Sequence, residues 1–442
     1  MTDHPVPDRP YYFVVVLWGE RFRTYFLEYC LPSLLAPGNI PALGGGGHKF
    51  LIATRPEDWA AMCATPIFRA LERHAQPVFL EIPPCPPGRS GCEHMGTGHK
   101  AACEMAFRDR ACAVLVTPDS MLSDGSVAHL RTRAAAGAHV VLAAALRFGE
   151  EPFLAKLAEI GAVPPTSRRA TGQPLAISGR QMVLAAVNGL HSETERYEWD
   201  ARSFPPYFPG VAAAAWWRVP GEDGMVLHSL SWAPLLIDYS TIATHDTTTF
   251  DQWTLDGDYI FKNFPRLEAL EAITDSDDAF IASWGSIHEN LVHFPRRPLF
   301  GRLGKGIMFR RAFYGPVFDP VRRRLFFATV RWHARPINEH WRAVEARANA
   351  TIAWYVGPDG RDAEPPLRRA RFAILSVVNA IECVRRLPDF VKLWTRLNRQ
   401  RLRRLLRGDP AAIRWFWWSI RKLFAVSVRR RFDTPKPVVP GT

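Results

Sequence analysis

Along the first 145 residues, short apolar runs alternate with longer stretches in which apolar residues recur every three or four positions. Strand-like runs fall at 12–18, 49–53, 78–82, 112–116 and 140–144, and helical periodicity covers 22–35, 57–74, 100–108 and 126–136. Strands interleaved with helices of this length predict βαβ units, an α/β fold and a mostly parallel sheet. The run Cys112-Ala113-Val114-Leu115-Val116 ends at Thr117-Pro118, and proline cannot donate to a ladder, so the strand stops there and delivers Asp119 to its carboxyl end. Ligands of open α/β sheets bind outside those ends. A second acid, Asp124, follows in the same loop, where capping of the helix beginning near Ser126 would select it equally well.

From 145 to 330 the pattern is mixed and rich in Pro and Trp. Residues 225–229 and 235–238 read as strands, and Ala272-Ile273-Thr274-Asp275-Ser276-Asp277-Asp278 again brings acids to a strand end. An amphipathic helix is expected over 338–356, closed by Pro358-Asp359-Gly360, and the composition changes after Pro365-Pro366. The expected organisation is a catalytic α/β region over 1–330 followed by a helical, basic region over 331–442. Gly44 to Gly47 read as a linker, since neither a Lys-Ser/Thr pair nor an opening helix follows to make a phosphate loop. Ser178-Gly179-Arg180 and Asp256-Gly257-Asp258 fit turns.

With 442 residues, 47% hydrophobic and 12% aromatic, the chain can bury a large core in two or more domains. No run of 18 uncharged apolar residues and no secretory signal pattern at Met1-Thr2-Asp3-His4-Pro5 is found, and seven scattered cysteines do not form a disulfide framework. A cytoplasmic protein is expected. The formal charge of +13 is concentrated: residues 366–432 hold 18 Lys plus Arg against Glu382, Asp389 and Asp409, a balance of +15 that leaves −2 for the remainder. Clustered positive charge draws phosphates of lipid or nucleic acid. Within 409–431, Ile413, Phe416, Trp417, Ile420 and Phe424 recur at helical spacing beside Arg414, Arg421, Lys422 and Arg429 to Arg431. Such a helix suits an anionic membrane surface or the surface of the catalytic domain. No nucleic-acid module is recognisable, and no nucleic-acid partner is expected.

Cys85, Cys92, His94, His99 and Cys103 lie close in sequence but lack the paired Cys-x-x-Cys of zinc sites, so His94 and His99 are expected to line the cleft instead. The absence of Gly-x-Ser-x-Gly and of Gly-x-Gly-x-x-Gly after the first strand excludes the usual serine-hydrolase and dehydrogenase patterns.

The first 300 residues resemble bacterial proteins of the nucleotide-diphospho-sugar transferase superfamily, the GT-A glycosyltransferase fold. The residues that carry the resemblance are Val14-Val15-Val16-Leu17-Trp18-Gly19-Glu20, Leu31-Pro32-Ser33-Leu34-Leu35 with Pro37-Gly38-Asn39, Thr117-Pro118-Asp119 with Ser123-Asp124-Gly125-Ser126, Ser231-Trp232-Ala233-Pro234-Leu235, and Thr274-Asp275-Ser276-Asp277. The resemblance implies a Rossmann-like half that binds a nucleoside diphosphate sugar and a mixed half that binds the acceptor. It places Trp18, Gly19 and Glu20 at the nucleotide, with Trp18 stacking and Glu20 on a ribose hydroxyl.

The family's metal motif, two acids separated by one residue at the end of the fourth strand, is not matched, since Met121 stands two places after Asp119. Either Asp119, with Asp124 nearby, holds Mg²⁺ or Mn²⁺ through water and phosphate, or basic side chains replace the ion. Arg21, Lys100 and Arg147 are candidates to stabilise the leaving diphosphate. Asp275, Asp277 and Asp246 are candidates for the base an inverting transfer requires, whereas a retaining one requires none. His245-Asp246 and His288-Glu289 could orient one another. The implied activity is sugar transfer to a membrane-associated glycan or lipid at the inner face of the cytoplasmic membrane. The same departure from the motif also fits a catalytically silent protein that binds or assembles there.

Overall fold

The strands in chain order are β1 (Tyr11–Val16), β2 (Lys49–Thr54), β3 (Gln76–Glu81), β4 (Cys112–Leu115), β5 (Ser120–Leu122), β6 (Val140–Ala144), β7 (Arg147–Gly149), β8 (Ala214–Val219), β9 (Gly224–Ser229), β10 (Trp232–Asp238), β11 (Leu270–Ala272), β12 (Ile281–Gly285) and β13 (Val330–His333). These come from a computed structural model, which describes residues 9–86, 90–164, 172–201, 204, 214–251, 254–255, 258–288 and 320–356, and scattered positions between 377 and 417. Packing divides the chain into one unit of 1–201, 213–293 and 324–352 and a second of 202–212, 294–323 and 353–442. The expected boundary at 330 falls on the first residue of β13, which pairs antiparallel with β9.

β1 is buried on both faces, as befits the apolar run Tyr-Tyr-Phe-Val-Val-Val in the middle of a covered sheet. The seven-stranded sheet has the order β11-β6-β10-β4-β1-β2-β3. β1 to β4 form a parallel half, with β1 paired to β2 and β4, and β2 to β3. Beyond β4 the sheet becomes mixed: β10 runs antiparallel to both β4 and β6, and β11 is parallel to β6. The fold is therefore mixed α/β, with helices on the sheet's faces. On one face Phe13, Val15, Phe50, Ile52 and Val114 pack with Phe26, Leu31, Leu34 and Phe68. Each such side chain is worth about 1.5–3 kcal/mol when fully buried.

The helices that matter for the site are α1 (Glu20–Tyr25), α2 (Leu31–Leu34), α3 (Pro56–Cys63), α4 (Pro66–Leu71), α5 (Gly91–Arg108), α6 (Ser126–Ala135), α7 (Glu150–Glu159) and α8 (Gly179–Asn188). Two expected helices are divided. The 22–35 stretch contains a π-helical turn, Phe26–Cys30, between α1 and α2. The 57–74 stretch breaks at Thr65, because Pro66 has no N–H for a continuing helix and instead begins α4 at a position that needs none.

α5 begins at Gly91, well before the expected start at Lys100, because Ser90 and Glu93 form a reciprocal capping box. Gly96 and Gly98 interrupt its apolar periodicity. Gly98 has a packing reason to be glycine: a Cβ there would lie 2.8 Å from Ala53 Cβ and 2.8 Å from Val16 Cγ1, so the helix approaches β1 and β2 closely. Ser178-Gly179-Arg180, expected as a turn, opens α8 through a second capping box between Ser178 and Gln181.

Two small sheets complete the first unit. One has the order β5-β12-β7, the other β13-β9-β8. β12 is central in the first of them, antiparallel to β5 and parallel to β7. Among the described residues no helix is long and apolar enough to cross a membrane.

Candidate functional site

A cavity of about 610 Å³ opens at the carboxyl ends of β1, β4 and β6. β1 contributes Val16, Leu17 and Trp18, the segment after β4 contributes Val116 to Asp119, and the end of β6 with the start of β7 contributes Ala144 to Arg147. α5 adds Gly91, Cys92, Met95 and His99, and β12 adds Ile281 and Ser283. The lining is mainly apolar, with few polar groups, as small-molecule sites usually are.

β12 explains how the two charged groups meet. Ser120 of β5 and Arg147 of β7 both sit opposite Ser283 of β12, on its two sides. The Trp284 N–H donates to the Asp119 carbonyl at 3.1 Å. Arg147 is fixed by the Thr194 hydroxyl, which accepts from its N–H at 3.1 Å, and its Nε donates to the Trp284 carbonyl at 3.4 Å. Gly285 leaves room for the guanidinium, since a Cβ there would lie 2.8 Å from Arg147 Nε. The result is an Asp119 Oδ2 to Arg147 Nη2 distance of 3.6 Å in the cavity wall, with the Asp119 side chain 17% exposed. Burial raises the Asp119 pKa above the usual carboxylate range, opposed by the charge of Arg147.

His99 also stands in the wall. Its ring is buried against Phe250, Nδ1 lies 3.0 Å from the Thr254 hydroxyl, and burial lowers its pKa to about 3. At neutral pH it is an uncharged hydrogen-bonding group. Trp18 lies edge-on to His94, with ring centroids 5.5 Å apart. His94 Nε2 is 2.7 Å from the Pro83 carbonyl, and this histidine does not line the cavity.

Of the residues picked from the sequence, the cavity therefore collects Trp18, Asp119, Arg147 and His99. The others stand elsewhere. Gly19, with φ of 83°, donates its N–H to Asp58 at 2.8 Å, and Glu20 lies exposed at the start of α1. Arg21 bonds the Tyr25 hydroxyl at 2.9 Å and pairs with Glu150 at 3.3 Å. Lys100 pairs with Asp251 at 3.2 Å. Asp124 accepts the Gly38 N–H at 2.7 Å, joining two loops, and lies outside the cavity lining. Helix α6 begins after Gly125, with no side-chain cap, so capping is not the task of Asp124.

Asp246 accepts from the Thr248 N–H at 2.8 Å and hydroxyl at 2.5 Å, and these bonds lower its pKa. It does not orient His245, whose Nε2 lies 2.6 Å from the Tyr259 hydroxyl. Glu289, Asp256 and Gly257 lie outside the described residues, as does most of 409–431.

Asp275 and Asp277 join a group the sequence did not disclose. With His333 at the end of β13 they form the one set, among the described residues, of three potential metal ligands, whose donor atoms all lie within 4.8 Å of one another. His333 Nε2 is 2.9 Å from Asp275 Oδ1 and 3.9 Å from Asp277 Oδ2. Burial disfavours the imidazolium, yet the bond to Asp275, the Arg335 carbonyl and the two carboxylate charges raise the His333 pKa. Asp275 is lowered: its partial burial is outweighed by His333 and by the Asp277 N–H. None of the three lines the cavity.

Two residues with structural consequences for the site escaped sequence reading. Asp58 is buried and takes both the Gly19 N–H and Arg23, at 2.5 Å, thereby shaping the loop after β1. Ser283 is brought to the cavity only by the long-range pairing of β12. Comparison with protein-family models and with curated proteins finds no match for this chain.

Proposed function

We propose that this chain is a GT-A-type glycosyltransferase that takes a sugar from a nucleoside diphosphate donor. The observation that carries the reading is the position of Asp119: it follows the fourth strand of a parallel half-sheet and lines a cavity of about 610 Å³ opposite Arg147. A volume of this size is within the range of small-ligand pockets. Trp18, at the end of β1, offers an aromatic face for a base. Arg147 offers a fixed guanidinium for the leaving diphosphate, which preorganised positive charge stabilises without reorganisation. Neutral His99 suits an uncharged partner, a base edge or a sugar hydroxyl.

The divalent ion that the family resemblance implies meets a poor fit in this wall. Asp119 stands there as a single carboxylate, Asp124 is engaged by Gly38, and Arg147 already neutralises Asp119 at 3.6 Å. In this reading Arg147 takes the place of the ion, and no step is assigned to a metal. Asp275, Asp277 and Asp246 stand outside the cavity, so they are not the acceptor base; Asp119, with its raised pKa, is the carboxyl available to the reacting centre.

The same proposal places the protein at the inner face of the cytoplasmic membrane, with a membrane-associated glycan or lipid as acceptor. Support comes from the second unit. Its described positions at Val377, Ile381, Val384, Leu387 and Val391 are helical and exposed. Ile413 and Trp417 are exposed as well. A basic segment with such exposed apolar side chains fits an anionic bilayer surface.

Calorimetric titration of the full-length protein with uridine, guanosine and thymidine diphosphate sugars tests the reading. One donor should bind, and Arg147→Ala should weaken it about 10–100-fold, the worth of a charge-assisted bond of about 1.5–3 kcal/mol. Absence of binding for every donor, or equal binding by the variant, overturns it. Binding without release of nucleoside diphosphate, with any acceptor, favours the silent binding protein.

A further inference from the structure

The side chains of Asp275, Asp277 and His333 lie outside the proposed donor cavity, and nothing in the sugar-transfer reading uses them. We infer that they form a binding site for a first-row divalent cation, with Zn²⁺ or Co²⁺ held more tightly than Mg²⁺. The group is assembled from two elements distant in sequence: the turn after β11 supplies both carboxylates and the end of β13 supplies the imidazole.

Three features distinguish it from a solvated acidic turn. His333 is only 3% exposed, so its ring direction is fixed by packing. Its Nδ1 lies 2.9 Å from the Arg335 carbonyl, an acceptor, and must therefore carry a proton. Nε2 is hydrogen-bonded to Asp275 Oδ1 at 2.9 Å and stands 3.9 Å from Asp277 Oδ2, so exchange of the Nε2 proton for a cation turns the same three atoms into ligands. A histidine ligand that donates its other ring N–H to a backbone carbonyl is the usual outer-shell arrangement of metal-bound histidine.

The spacing is also suitable. Ligands about 2.0–2.1 Å from a tetrahedral ion stand about 3.3 Å apart. The observed separations from Nε2, 2.9 and 3.9 Å, bracket that value. One nitrogen and two carboxylate oxygens leave a fourth position for water, and an imidazole in the set selects borderline ions over Mg²⁺ and Ca²⁺.

The surrounding charges are accounted for. Arg180 donates to Asp277 Oδ1 at 3.0 Å and to Oδ2 at 2.6 Å, so a bound cation shares Asp277 with this exposed guanidinium or displaces it. The Arg331 guanidinium is engaged by Glu345 at 2.7 Å. The Asp277 N–H donates to Asp275 Oδ1 at 3.0 Å, and the His333 N–H to the Ser276 hydroxyl at 3.1 Å. A bound ion would add to the links between the turn after β11 and β13, which are the bridge from Asp275 to Arg331 and the bonds of His333 to Ser276 and Asp275.

Titration of the full-length, chelator-treated protein with Co²⁺, followed by visible absorption and by metal analysis after gel filtration, tests the inference. The expected result is a d–d band saturating at one tightly held ion per chain and displaced by Zn²⁺ but not by Mg²⁺. Asp277→Asn, on a half-exposed side chain that leaves the core intact, should weaken the ion at least tenfold, and Asp275→Asn likewise. A wild-type protein that gives no band and retains no ion overturns the inference, as does unchanged stoichiometry and affinity in both variants. Because the readout is metal retention, its outcome is independent of whether the cavity binds a nucleotide sugar.

Discussion

His99 makes the stability of the fold depend on pH in a way that can be calculated. Its ring is 4% exposed, bonded to Thr254, and its pKa in the folded protein is lowered by burial to about 3, against an ordinary value of 6.5. Above pH 6.5 the ring is neutral in both the folded and unfolded chain, and the contribution is fully present. As the pH falls below 6.5 the unfolded chain takes up a proton that the folded one refuses, and stability is lost at about 1.4 kcal/mol per pH unit until the folded value is reached. At pH 5 the loss is about 2 kcal/mol, and it is insensitive to the folded value because that value lies well below pH 5. His99→Gln retains a hydrogen-bonding group for Thr254 and removes the titration. Urea unfolding of both proteins at pH 7.5 and pH 5.0 measures the effect: the wild type should lose about 2 kcal/mol more than the variant over that interval. Equal losses in the two proteins would show that His99 is protonated in the fold, and the neutral, desolvated cavity wall described above would be wrong.

Other substitutions probe the parts that shape the site. Asp58→Ala removes the acceptor of the Gly19 N–H and the partner of Arg23, and should cost about 2 kcal/mol in chemical denaturation; a change below about 0.5 kcal/mol would mean the loop after β1 is held by other contacts. Gly98→Ala forces a methyl group against Val16 and Ala53, and the overpacking, offset in part by better helix propensity, should lower stability by about 1 kcal/mol; a thermal melt at or above that of the wild type contradicts the close approach of α5. Deleting residues 409–442 should reduce co-sedimentation with vesicles containing phosphatidylserine, with the residual binding falling further in salt; undiminished binding would exclude that segment as the attachment.

The parallel half of the sheet was legible because its strands are continuous apolar runs that need no partner to be recognised. Asp119 was legible because Pro118 marks the end of β4 from local chemistry alone. What failed was local pattern broken for long-range reasons. Gly96 and Gly98 obscured the first half of α5 although Ser90 and Glu93 announced its start, and Pro66 divided a stretch whose periodicity ran on through it. The meeting of Asp119 with Arg147 depends on β12, which lies far along the chain from both and carries no signal of its pairing. For the same reason Asp275 and Asp277 were visible as a pair of acids, whereas His333 could be joined to them only by the packing of β13. Asp124 shows the opposite error: an acid in a promising loop whose carboxylate holds Gly38.

The central claim, that the wall containing Trp18, Asp119 and Arg147 receives a nucleoside diphosphate sugar, is tested most directly by a crystal structure of the full-length protein soaked with the donor that binds in solution. The account predicts the diphosphate against the Arg147 guanidinium, with the base beside Trp18 and the sugar toward Asp119. A donor found elsewhere on the chain, with this cavity left to solvent, would contradict it.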